Sequence, residues 1–87
     1  MKVSEKRMLL YLADKVILRI RPVFAGNGRF FKIMSFYGAG WTIWSESLNY
    51  KTRQEAVDAI NQVVEMNPGN YIADEGLDAL DIKPFIN

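Results

Sequence analysis

Cysteine and histidine are both absent from this chain of 87 residues. Without cysteine there is no disulfide framework, no thiolate nucleophile and no zinc site built on sulfur. Without histidine the usual general base near neutral pH and the commonest metal ligand are missing. Long apolar runs are missing as well. The N-terminal MKVSEKRMLLYLADK imitates a secretory leader, with Lys2, Lys6 and Arg7 ahead of an apolar run, but Asp14 and Lys15 close that run after Ala13. It is shorter than a secretory h-region and far short of a membrane span. The expectation is a soluble, cytoplasmic protein with no membrane association, no cofactor and no metal.

What is present is apolar enough to fold. Hydrophobic residues make up 49% and aromatics 13% of the chain, above what a disordered segment carries. A second core would leave each half too small to offset its chain entropy, so residues 1–87 read as a single domain with 71–87 as an acidic tail. The net charge of +1 hides a split. Residues 1–36 carry eight Lys and Arg against Glu5 and Asp14, a net +6, and residues 37–87 carry three against eight acids, a net −5. Such polarity suits an anionic partner, head-to-tail self-association, or an acidic tail folded back on a basic sheet.

KVILRIRPVF, from Lys15 to Phe24, alternates apolar Val16, Leu18 and Ile20 with Lys15, Arg19 and Arg21, the mark of a half-buried strand. Pro22 lacks a donor, which puts this strand at a sheet edge or ends its pairing there. Asn27 and Gly28 tolerate the positive φ of a tight hairpin. A second strand is expected from Arg29 to about Tyr37, a turn at Gly38, Ala39 and Gly40, and a third strand from Trp41 to about Ser47. Beyond Tyr50 a helix is written plainly. Thr52 and Glu55 form a capping box, Ala56, Val57, Ile60, Val63 and Val64 form an apolar stripe, and Asn67, Pro68 and Gly69 stop it.

The first dozen residues lean to a helix capped by Ser4, with Met8, Leu9 and Leu12 on one face, although a strand through Leu9 to Leu12 stays open. After Tyr71 the acidic tail reads as a short helix and then an extended, docked end. The fold class is therefore α+β: a three-stranded antiparallel meander packed against a helix, in the order αβββα, with a docked acidic C-terminal tail.

FFKIMSFYGAGWTIW, residues 30–44, holds six of the eleven aromatics. If Lys32 faces water, the two-residue period puts Phe30, Met34 and Phe36 on its side, and Phe31 and Ile33 on the core side. Trp41 and Ile43 suit the core, leaving Thr42, Trp44 and Glu46 outside. The outer face then gathers Ile17, Arg19 and Arg21, Phe30, Lys32, Met34 and Phe36, and Trp44. One helix covers only one side of a small sheet, so this patch requires a cover. The tail or N-terminal segment, a second copy in a homodimer, and another molecule all qualify. The candidate partner-binding residues are Arg19, Arg21, Phe30, Lys32, Phe36 and Trp44.

Catalysis finds little support. Ser35, Ser45 and Ser47 have no histidine to activate them, Asp74 and Asp78 fit a solvated tail, and glycines 26, 28, 38 and 40 suit hairpins rather than a phosphate loop. The role expected is a small non-enzymatic module that binds a protein partner, or an inhibitor or accessory factor of the kind a phage or mobile element encodes. Nucleic-acid binding is the alternative, since the same face offers rings for stacking beside Arg19, Arg21 and Lys32 for phosphates.

Two resemblances bear on the fold. IWSESLNYKTRQEAVDAINQVV is similar to the small YegP-like bacterial domains through Ser45, Glu46, Tyr50, Thr52, Ala56 and Ile60. That resemblance implies a ββα core and no particular activity. The order αβββα also resembles the double-stranded-RNA-binding domain, in which lysines opening the last helix contact phosphates. Lys51 and Arg53 stand at that position, with Glu55 and Asp58 close behind.

Overall fold

Alternation in VILRIRPVFA and GRFFKIMSF builds the centre of the molecule. The computed structural model describes residues 3–26 and 28–74. Among them the two segments form β1 (Val16–Ala25) and β2 (Gly28–Phe36), antiparallel from Leu18↔Ser35 to Ala25↔Gly28. A two-residue loop therefore joins them. Its first residue, Gly26, takes φ +58, so the glycine that the turn requires is Gly26 rather than Gly28.

β3 (Trp41–Ile43) pairs antiparallel with β2, while β4 (Tyr71–Ala73) pairs parallel with β1, giving the order β3-β2-β1-β4. The fourth strand stands where the sequence suggests the start of a helical tail. It moves the start of β1, Val16 to Leu18, into the sheet interior, and its pairing stops at Leu18↔Ala73. Pro22 lies past that point. Phe31, its partner on β2, exchanges both of its backbone hydrogen bonds with Tyr50, so by alternation Pro22 aims its nitrogen away from β2. The missing donor costs no ladder bond there. The docked acidic tail, from residue 75 onward, lies outside the described residues.

The even residues of β1 and the odd residues of β2 face α2 (Arg53–Met66). Leu18, Ile20, Ile33, Ala56 and Ile60 are fully buried between them. The helix starts as its capping box dictates: Glu55 N–H donates to Thr52 Oγ1 at 3.1 Å, and the Glu55 carboxylate accepts from Thr52 N–H at 3.3 Å and from Lys51 N–H at 2.8 Å. Asn67 closes it, its amide nitrogen donating to the Val63 carbonyl.

α1 (Val3–Leu12) covers the opposite face of the sheet. Its inward residues are Arg7, Leu10 and Tyr11, whereas Leu9 and Leu12 look outward, Leu12 with 69% of its surface exposed. The apolar spacing of Met8, Leu9 and Leu12 therefore does not mark the buried side. Ser4 falls inside the helix. Lys15 N–H donates to Leu10 O and Asp14 N–H to Tyr11 O, with Asp14 at φ +64, a left-handed stop that glycine more often supplies.

Gly38 joins the two layers. Its φ is +94, and a Cβ there would lie 2.9 Å from Tyr11 Cε2. Gly38→Ala is expected to cost about 1–3 kcal/mol, roughly 4–8 °C in melting temperature per kcal/mol. An unchanged calorimetric midpoint would refute the tight α1 contact.

Candidate functional site

The face under α1 divides into two halves. Toward the start of β1, Ile17 and Met34 are fully buried. Arg7 donates from Nε to Asp74 Oδ1 and from Nη2 to Oδ2, both at 3.0 Å, and Asp74, placed by its own N–H bond to the Leu18 carbonyl, keeps 4% of its side chain exposed. The fork geometry matches the carboxylate in two parallel bonds, the strongest form of this pair. The Arg7 guanidinium also lies 5.0 Å from the Trp41 ring centre and 5.8 Å from that of Phe36, while Arg19 approaches Trp41 at 4.3 Å. Tyr11 meets Phe36 edge-on at 5.6 Å. These contacts clasp the helix to the sheet.

Toward the hairpin α1 is absent. β1 and β2 carry Arg19, Arg21, Arg29 and Lys32 and not one acid. Arg21 stands directly across from Lys32, and Val23 across from Phe30. Lys32 Nζ is 5.9 Å from the Phe30 ring centre. Burial lowers the pKa of the Arg21 guanidinium, which nonetheless remains a cation at neutral pH, as guanidinium groups do in proteins. Next to this group Ile43 is 49% exposed, and on the opposite face of the same hairpin Phe24 is 65% exposed beside Arg29.

The six residues singled out from sequence thus separate. Arg21, Phe30 and Lys32 gather on the hairpin half of the outer face. Phe36 shares that face but lies against Tyr11 of α1, and Arg19, on the same face, is only 8% exposed with its guanidinium over the Trp41 ring. Trp44 is on the other face, in the cluster beside α2, with its ring 6.1 Å from that of Tyr71. The expected third strand accounts for this reversal. Phe36 pairs with Trp41 and Met34 with Ile43, so Trp41 and Ile43 share the outer face with their partners, and Trp44 turns inward opposite Ile33. The strand also stops at Ile43 rather than Ser47. Residues 45–49 loop out, and Ser47 Oγ takes the place of a backbone acceptor for Ile33 N–H at 2.8 Å before Tyr50 rejoins Phe31.

Arg7 and Trp41 were not among the candidate residues, and Asp74, read from the sequence as part of a solvated acidic tail, is instead buried against Arg7. Arg7 and Asp74 are 67 positions apart, and no local spacing links them. Val23 was not singled out either, although its place two residues after Arg21 on the same strand face was a signal for it.

No family model, curated protein or solved structure matches this chain. The residues that carry the likeness to YegP-like domains have local duties here. Ser45 and Glu46 lie in the turn after Trp44, Tyr50 bridges to β2, Thr52 caps, and Ala56 and Ile60 fill the core. Any strand leading into a capped helix selects such residues. The αβββα order is present, with β4 added and with α1 and α2 on opposite faces of the sheet. No helix among the described residues is long and apolar enough to cross a membrane.

Proposed function

We propose that the protein is a small non-enzymatic interaction module of the cytoplasm that binds a protein partner through the hairpin half of the outer sheet face. One observation carries the reading: Arg21 and Lys32 face each other across β1 and β2. Together with Arg29 they make this hairpin cationic with no acid in either strand, which draws an acidic partner, and the Val23–Phe30 pair with Ile43 supplies the apolar contact that fixes the partner's orientation. The partner chemistry that fits is a segment with acidic and apolar side chains.

The nucleic-acid alternative draws on the same cations but has less to stack on. Of Phe30, Phe36 and Trp44, only Phe30 lies clear of α1 and α2, and a single ring is a poor platform for successive bases.

The experiment is a comparison of partners cross-linked by the tagged full chain and by Arg21→Glu/Lys32→Glu. The reading expects a partner with the first chain and its loss with the second, with circular dichroism showing that the second chain keeps its fold. A partner held equally by both would contradict it. Fluorescent single-stranded and duplex oligonucleotides belong in the same experiment, because phosphate contacts fade steeply as salt rises. Tight, salt-sensitive binding of either would turn the assignment to nucleic acid.

A further inference from the structure

We propose that the outward side of α1 is a second interface, on which another copy of this chain seats its own α1 in antiparallel orientation about a two-fold axis. It stands apart from the partner reading, because the hairpin takes no part in it. The starting point is an inversion. α1 turns Arg7 and Tyr11 toward the sheet and leaves two of its leucines outside, Leu9 56% and Leu12 69% exposed, with Met8 at their flank. A helix whose role ended at the sheet would carry the opposite arrangement, apolar side in and polar side out.

Glu5, Leu9 and Leu12 stand at i, i+4 and i+7, so the carboxylate opens the stripe that the leucines continue. Glu5 is exposed. Lys15 follows the helix at its other end, held there by its N–H bond to the Leu10 carbonyl. Neither side chain has an ion-pair partner among the described residues.

Charge selects the occupant. With one acid at its start and one base beyond its end, the stripe is complementary to itself run backwards. A two-fold axis level with residue 10 brings Leu9 and Leu12 of one copy against Leu12 and Leu9 of the other, and sets Glu5 of each copy across from Lys15 of its mate. Asp14 then falls opposite Lys6 rather than opposite an acid. A parallel pair would set Glu5 against Glu5 and Lys15 against Lys15, a like-charge arrangement that is unfavourable. Two-fold symmetry makes each favourable contact twice. An anionic bilayer fits less well, because the exposed acids Glu5 and Asp14 offset the lysines at both ends of the stripe.

Size sets the strength. Ten residues make about 15 Å of helix, and a contact of that length falls short of the roughly 1,200 Å² that a stable complex buries. The association is therefore weak, with a dissociation constant on the order of 0.1–1 mM.

The test uses the full chain and three variants on this stripe, Leu9→Ser/Leu12→Ser, Glu5→Lys and Lys15→Glu, with circular dichroism to confirm that each keeps its fold. Translational diffusion and 15N amide shifts are read at about 20 μM and about 1 mM, on either side of that constant. The proposal expects slower diffusion at the higher concentration, with amide shifts in residues 5–12 and none in residues 21–25. Leu9→Ser/Leu12→Ser should abolish the association. Glu5→Lys and Lys15→Glu should each weaken it about tenfold, and an equimolar mixture of those two should restore it, because every acid then faces a base again. A chain that diffuses as a monomer at the higher concentration overturns the proposal, and so does association that survives Leu9→Ser/Leu12→Ser. Indifference to the charge variants, or a mixture that restores nothing, overturns the antiparallel two-fold arrangement. Uptake by vesicles of phosphatidylserine and phosphatidylcholine without self-association would give this side of α1 to lipid instead.

Discussion

Asp74→Ala is expected to destabilise the protein by about 3–5 kcal/mol, because it leaves the Arg7 guanidinium buried without its carboxylate. The side chains of Arg7 and Asp74 are 15% and 4% exposed, so solvent does little to screen the pair or to replace the lost partner. The prediction is directional as well as large. Arg7→Met/Asp74→Leu, which removes both charges, should be markedly more stable than Asp74→Ala, since an apolar replacement carries no uncompensated charge. Denaturant melts of the three chains decide it. If Asp74→Ala costs under about 1 kcal/mol, the size of an exposed ion pair, the clasp is not what holds α1.

Ile33→Ala is expected to cost about 2–5 kcal/mol. Ile33 is fully buried on β2, facing Leu18 and Ile20 on the neighbouring strand and Ala56 and Ile60 on α2. Truncation removes transfer free energy and leaves a cavity between two layers that are each fixed by their own hydrogen bonds, so collapse around it is limited. A domain of this size holds in total about 4–13 kcal/mol, so one substitution removes a large share. A urea melt with an unchanged slope and a lowered midpoint is the expected result. An unchanged midpoint would mean that the sheet and α2 are not packed through this residue.

These two residues also mark how far the sequence could be read. Ile33 was legible, because the two-residue period of FFKIMSF, anchored by Lys32, assigns it inward, and α2 was legible from its capping box and stripe. The meander was legible for the same reason: each element is announced by residues close together in the chain. The clasp was not. Arg7 reads as one of several N-terminal cations, and nothing near it in sequence names Asp74.

The same division explains Trp41 and Trp44. Their faces were assigned from a preference for burying Trp41 and Ile43, whereas the structure assigns them by register across the 37–40 turn, where Tyr37 N–H donates to Gly40 O. Pairing Phe36 with Trp41 fixes every later residue of β3. A three-residue strand contains too short a pattern to reveal this alone. β4 was illegible for a related reason, since Tyr-Ile-Ala is a triplet whose strand character depends on β1, more than fifty residues earlier.

The candidate site follows the same logic. Arg21, Phe30 and Lys32 were found because a strand face can be counted, and they remain together because β1 and β2 are long and regular. Phe36 and Arg19 were counted to the correct face, but Phe36 is covered by α1, whose inward side is set by Arg7 and Tyr11 rather than by its most apolar residues, and Arg19 is buried against Trp41.

The measurement that tests the central claim most directly is the chemical-shift footprint of the captured partner on the 15N-labelled full chain. The account predicts perturbed amides in residues 21–25 and 28–32, with α2 and the groove beside Tyr11, Lys15 and Trp44 unmoved. A footprint on that groove or on α2, with the hairpin silent, would contradict it.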